Sequence, residues 1–280
     1  MGEVAVATGI LGGLGLLFGS VLAVSYRFLR VPEDPRLGEV EDMLPGNNCG
    51  ACGEPGCHAF AVSLLAGRKA PGNCTVASPE QHVTIADFLG VDVGRGEKIV
   101  ARLHCAGGRA QARQIAEYEG YESCRAAALV GGGGKGCSWG CLGLGDCDRI
   151  CDFDAIRMNA NGLPVVDVQK CTACNDCVEV CPRDLFELLP LSRPLLVQCK
   201  VPLAGEEARS LCSVACDACG RCAQDAPSDL ITMIGNLPVV DYEREAAGPE
   251  ATWRCPTRAI RFVGANQFPE DPVEERVESR

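Results

Sequence analysis

Hydrophobic and polar positions divide the chain into one long apolar run and a series of short elements. Residues 4–24, VAVATGILGGLGLLFGSVLAV, are 21 positions without a charge. At 1.5 Å per residue, a helix of that length spans about 30 Å, the hydrocarbon thickness of a bilayer. Tyr26, Arg27 and Arg30 follow. Arginines on that flank predict a single-pass helix over residues 1–27, with the rest of the chain on the cytoplasmic side of the inner membrane. The flanks lack the basic leader and small-residue cleavage site of a secretory signal. Gly9-x3-Gly13 and Gly15-x3-Gly19 give the helix small-residue ridges suited to a neighbouring helix. A single span cannot form a transport pathway alone. The Pro-rich stretch 31–35 predicts a linker, and residues 59–65 predict a short helix. Residues 155–158 and 163–166 predict a hairpin around Asn161-Gly162. The charged stretch 270–280 predicts a disordered tail.

Composition explains why the elements are so short. The 280 residues include 20 cysteines but only 5% aromatics and four methionines. Such a chain has little material for one large core, and small metal-stapled modules are the economical reading. Secreted disulfide scaffolds are also cysteine-rich, but here the cysteines fall in tight C-x2-C clusters that suit metal better than distant cross-links. The net charge is −11, and each four-thiolate [4Fe–4S] centre would add to it. Nucleic acid, which demands a basic footprint, is excluded as a partner.

The first cysteine group lies in LPGNNCGACGEPGCHAF: Cys49, Cys52 and Cys57, with Cys74 returning later. Its glycines let backbone N–H groups approach cluster sulfurs. Zinc is the alternative, since C-x2-C alone does not distinguish it. His58 reads as a solvent-facing neighbour. A c-type haem site would need a cysteine at Glu54.

The run Cys171-x2-Cys174-x2-Cys177-x3-Cys181-Pro182 is the bacterial ferredoxin pattern, in which the fourth cysteine serves a second cluster. Upstream stand Cys137, Cys141, Cys147 and Cys151. Crossing the fourth ligands gives one set of Cys137, Cys141, Cys147 and Cys181, and another of Cys171, Cys174, Cys177 and Cys151. A period of about 75 residues then emerges. Cys124, Cys137, Cys141 and Cys147 recur as Cys199, Cys212, Cys216 and Cys222, Leu-Pro-Val-Val-Asp recurs at 237–241, and Cys181-Pro182 recurs as Cys255-Pro256. In the second copy Ala226 replaces Cys151, and Glu245, Gly248 and Ala251 replace Cys171, Cys174 and Cys177. A whole ligand set is lost and its partner kept, leaving one site on Cys216, Cys219, Cys222 and Cys255. Cys105, Cys124, Cys199 and Cys212 remain over: ligands of a further cluster near the junction of the repeats, or buried small residues and free thiols. Cys212 could also stand in for Cys219. The count is therefore about four clusters, or five if the spare cysteines hold one. Gly131–Gly134 with Lys135-Gly136 lacks the Ser or Thr of a phosphate loop and predicts a flexible lead into the cluster loop. There is no nucleophile–base pair, so no catalytic residue is expected.

The predicted fold is α+β: a transmembrane helix at 1–27, a small [4Fe–4S] domain at 28–77 and a connecting region at 78–135. A two-cluster ferredoxin-like module at 136–190, a degenerate one-cluster module at 191–265 and a charged tail at 266–280 complete it. In this order the apolar helix, LPGNNCGACGEPGC, Cys74, KGCSWGCLGLGDC and the Cys171–Cys181 run resemble the B subunit of Rnf-type electron transport complexes. The resemblance implies an electron-transfer subunit of a membrane translocase between reduced ferredoxin and NAD, with soluble ferredoxin as donor. Other membrane and flavin-bearing subunits are the implied partners. The departure is the second module, where longer members carry eight cysteines. The competing readings are a wiring subunit of another membrane reductase and a membrane-tethered zinc-binding interaction protein.

Overall fold

The computed structural model describes residues 2–29, 34–94, 96–244 and 248–269. Helix α1, Gly2–Leu29, carries Arg27 in its last turn. Its stretch Thr8–Phe28 has a mean hydropathy of 1.8, and none of it is buried against the rest of the chain. None of the described residues covers that apolar surface, as expected of a helix whose solvent is lipid. Arg30 and residues 31–33 of the expected linker lie outside the described residues.

The next unit packs α2 (Arg36–Met43), α3 (Cys57–Leu65) and α4 (Pro79–Leu89) around Val40, Phe60, Leu64 and Ile85. Helix α4 opens on a capping box. Ser78 Oγ accepts from Gln81 N, the Gln81 side chain accepts from Ser78 N, and Pro79 fills the first position. Gln81 also donates to Met43 O at 3.3 Å, and Ile85 is fully buried. The unit thus continues past residue 77, and the expected connecting region contributes its first helix to it.

Two modules of the same element order follow. In the first, β1 (Ile99–Leu103) pairs antiparallel with β4 (Phe186–Pro190). They enclose α5 (Cys124–Leu129), α6 (Asp146–Arg149), the hairpin β2 (Ile156–Met158) and β3 (Pro164–Val166), and α7 (Asp176–Val180). In the second, β5 (Leu195–Val197) pairs with β8 (Ile260–Phe262). These enclose α8 (Gly205–Leu211), α9 (Arg221–Asp225), the hairpin β6 (Ile231–Ile234) and β7 (Leu237–Val240), and α10 (Glu250–Trp253). The frame strands correspond closely. His104 N donates to Leu185 O just beyond β1, and Gln198 N donates to Ala259 O just beyond β5, each at 2.7 Å.

Two further differences from the sequence reading concern loops. Gly131, Gly132, Gly133 and Gly134 all have left-handed φ between 60° and 78°, a run that glycine alone tolerates. Gly134 O accepts from Ile115 N and Ala116 N, so this stretch is a hydrogen-bonded turn. The packed body also reaches beyond residue 265. The Gln267 side chain accepts from Leu103 N and donates to Leu103 O, and Phe268 joins the main core. Residues 270–280, the predicted tail, lie outside the described residues.

Candidate metal centres

Cys49, Cys52, Cys57 and Cys74 meet as their spacing suggests. Asn48 Oδ1 caps the loop by accepting from Cys57 N at 2.8 Å. Gly56 holds φ 122°, and a Cβ there would lie 2.9 Å from Asn48 Oδ1. Burial pushes the Cys52 and Cys74 thiols up, with Cys49 acting on both, and Cys57 packs into the same core. The Lys69 ammonium donates to Cys52 O at 3.0 Å. His58 is an exposed neighbour paired with Glu41 at 2.8 Å.

Cys151, Cys171, Cys174 and Cys177 line a single pocket with Phe153, Ile156 and Leu188. Backbone N–H groups aim at their sulfurs: Ala101 N at Cys171 Sγ, 3.5 Å, and Ala155 N at Cys151 Sγ, 3.4 Å. Ala173 adopts φ 60°, and Ala218 in the corresponding loop of the second module adopts φ 59°. A left-handed alanine costs roughly 1–2 kcal/mol, so both loops accept strain to wrap what their cysteines surround. In that second loop, Cys216 and Cys222 act on one another and on Cys255, with Cys219 exposed at the rim. In the second module Ala226 and buried Ala251, at the positions corresponding to Cys151 and Cys177, pack with Leu195, Leu230 and Ile231. Glu245 lies outside the described residues.

Cys137 stands elsewhere than its expected set. It lines a pocket with Cys105, Cys199 and Cys212. The thiols acting on Cys147 are instead Cys141, Cys124, Cys177 and Cys181. Cys124 is held there by Ser123 Oγ and Arg125 N, both donating to Asp146 Oδ2. The strand pairing and the glycine turn, as well as the local loop, position Cys137 and Cys124.

The chain matches two family models, the Fe-S cluster family over residues 44–76 and the 4Fe-4S binding domain over residues 164–187. It is 40% identical over 260 residues to the B subunit of the Na(+)-translocating ferredoxin:NAD(+) oxidoreductase complex of Acetobacterium woodii, covering 93% of this chain and 78% of that protein. The B subunit of the proton-translocating ferredoxin:NAD(+) oxidoreductase complex of Clostridium ljungdahlii is 37% identical, covering 89% of both chains. The B subunit of the ion-translocating oxidoreductase complex of Methanosarcina acetivorans is 32% identical, over 90% of this chain and 96% of its own. The chain belongs to the B subunits of the Rnf complexes. It is an iron–sulfur component of a multi-subunit membrane oxidoreductase.

The donor chemistry of this chain fits iron–sulfur clusters. Two groups of four cysteines each line one pocket. Burial raises the thiols, Cys141 and Cys177 to about 12 and Cys174, Cys199, Cys212, Cys216 and Cys222 to about 11. They stay protonated at neutral pH until metal displaces the protons. Two buried cations offset the charge that thiolates would bring. Lys135 Nζ donates to Gly107 O and Cys141 O, both at 2.5 Å, and Arg102 lies beside Cys171.

Proposed function

We propose that this protein relays electrons between reduced ferredoxin and the other subunits of its complex, which include membrane and flavin-bearing partners. Its cluster domains lie on the cytoplasmic face. Cys49, Cys52, Cys57 and Cys74 form one [4Fe–4S] site, and Cys151, Cys171, Cys174 and Cys177 a second. Cys141, Cys147 and Cys181 with a fourth thiol form a third, and Cys216, Cys219, Cys222 and Cys255 a fourth. The clusters supply one-electron redox chemistry at low potential, and the polypeptide holds them in series and dry.

The observation that carries this reading is the direct contact between successive ligand loops. Thr75 Oγ1, next to Cys74, donates to the carbonyl of Thr172, next to Cys171, at 2.7 Å. Cys177 and Cys147 are close enough to act on one another. The membrane-proximal site and the two sites of the first module are therefore neighbours. The arginine flank of α1 and the relatives named for ferredoxin:NAD(+) oxidoreduction support the orientation and the donor.

Mixing the purified full-length protein with reduced ferredoxin under anaerobic conditions should bleach its visible absorption as ferredoxin is oxidised. A protein that dithionite reduces but ferredoxin does not would exclude ferredoxin as direct donor. Cys181→Ala should remove the cluster signal of Cys141 and Cys147 and leave that of Cys171, Cys174 and Cys177. Loss of the latter signal instead would reverse the crossed assignment.

A further inference from the structure

We infer that Cys105, Cys137, Cys199 and Cys212 hold a fifth [4Fe–4S] cluster at the junction of the two modules, two ligands from each, and that Cys124 takes the ligand place that spacing gives to Cys137. The inference rests on reading the other quartets as [4Fe–4S] sites.

The four cysteines are buried and line one cavity, although they come from four separate segments. Symmetry explains the convergence. Cys105 lies two residues past the end of β1, and Cys199 lies two residues past the end of β5. The intervening residues, His104 and Gln198, make the matching backbone bonds to Leu185 and Ala259. Cys137 precedes Cys141 by four residues, as Cys212 precedes Cys216. Each module thus offers the same two thiols, and the modules face each other across them. Ala106 N donates to Gln198 O, and Ser213 N to Gln111 O, stitching the halves together.

The walls are shaped for sulfur. A Cβ on Gly107 would come within 2.8 Å of Cys212 Sγ, and one on Gly140 within 3.3 Å of Cys137 Sγ. Cys141 N donates to Cys105 Sγ and Val201 N to Cys199 Sγ, both at 3.4 Å, the kind of contact that tunes cluster sulfurs.

The same frame accounts for Cys124. In the second module Cys219 stands between Cys216 and Cys222, but the corresponding residue of the first module is Leu144. The backbone N–H groups of Leu144 and Asp146 point at the Cys124 sulfur, so Cys124 reaches the place that position 144 leaves without a thiol. All 20 cysteines are then used as five complete quartets. The fifth site also joins the modules into one series: Cys141 N reaches Cys105 on one side, and Cys216 N reaches Cys199 on the other.

The test counts iron, sulfide and zinc in the full-length protein after anaerobic reconstitution, with native mass spectrometry of the same sample. Roughly twenty irons and twenty sulfides per chain are expected, four of each per cubane. Five cubanes need all twenty thiolates, so the wild-type count decides even where variants fail to accumulate. Cys105→Ala and Cys199→Ala should each lose about four irons, on the same stoichiometry, and keep the remaining signals. About sixteen irons in the wild type, with or without one zinc, or full iron in Cys105→Ala, would overturn the fifth site alone. A protein without iron would overturn the electron-relay reading as well.

Discussion

Removing residues 1–33 is expected to move the protein entirely from the membrane fraction to the soluble fraction with its iron count unchanged. Helix α1 presents Leu11, Leu16, Leu22 and Phe28 at about 70–80% exposure, and its apolar stretch buries nothing against the domains behind it. At about 25 cal/mol per Å² of apolar surface, transfer of such a helix into lipid outweighs any attraction of an acidic, polar surface for the membrane. The proposed ligands begin at Cys49, and the core around the first of them starts at Leu37, so the clusters are expected to form without the helix. Sedimentation after expression, followed by iron analysis of the supernatant, measures both halves of the expectation. Iron lost with the helix would make α1 part of the cluster fold, and a truncated chain still pelleting with membranes would point to a second attachment surface.

What was legible in the sequence follows from where each constraint is stored. The Cys49–Cys74 and Cys171–Cys177 loops were readable because one short segment, shaped by Gly56 or Ala173, supplies most of the ligands. The hairpin at Asn161-Gly162 was local in the same sense. The replacement of Cys151 and Cys177 in the second copy was visible as paired substitutions, and Ala226 and Ala251 pack as ordinary core residues. The junction was not readable in this way. Its thiols are brought together by the pairing of β1 with β4 and of β5 with β8, contacts between strands far apart in the chain. A linear offset of about 75 residues matched Cys124 with Cys199, whereas the strand frame matches Cys105 with Cys199. The insertion carrying the glycine turn and α5 lies in the first module and shifts the offset. Sequence periodicity reports the ferredoxin-like half of each module, and only the fold reports the strand that precedes it.

Replacing Arg102 by Met should lower the midpoint potential of the cluster on Cys151, Cys171, Cys174 and Cys177 while leaving its iron in place. Arg102 is 1% exposed, and burial pushes its pKa down from the usual guanidinium value, partly offset by Cys171 and Tyr242. The guanidinium donates to the carbonyl of Gly264 at 2.9 Å, and its Nε lacks a partner. Glu187, directly across the strand pair, is engaged at 2.8 Å by His104. A buried cation without a carboxylate costs several kcal/mol, and the cluster proposed at Cys171 on the neighbouring loop would supply the counter-charge. Reduction makes that cluster more negative, so a nearby cation favours the reduced form. With an effective dielectric near 20, a unit charge at this range contributes on the order of 1–2 kcal/mol, or roughly 40–90 mV for one electron. Met fills a similar volume without a charge, and a buried charge exchanged for an apolar side chain need not destabilise the fold. Arg102→Lys keeps the charge and should retain most of the potential. Anaerobic redox titration followed by electron paramagnetic resonance reads the shift directly. An unchanged potential in Arg102→Met would show that Arg102 serves the packing of β1 and not the electrostatics of the cluster.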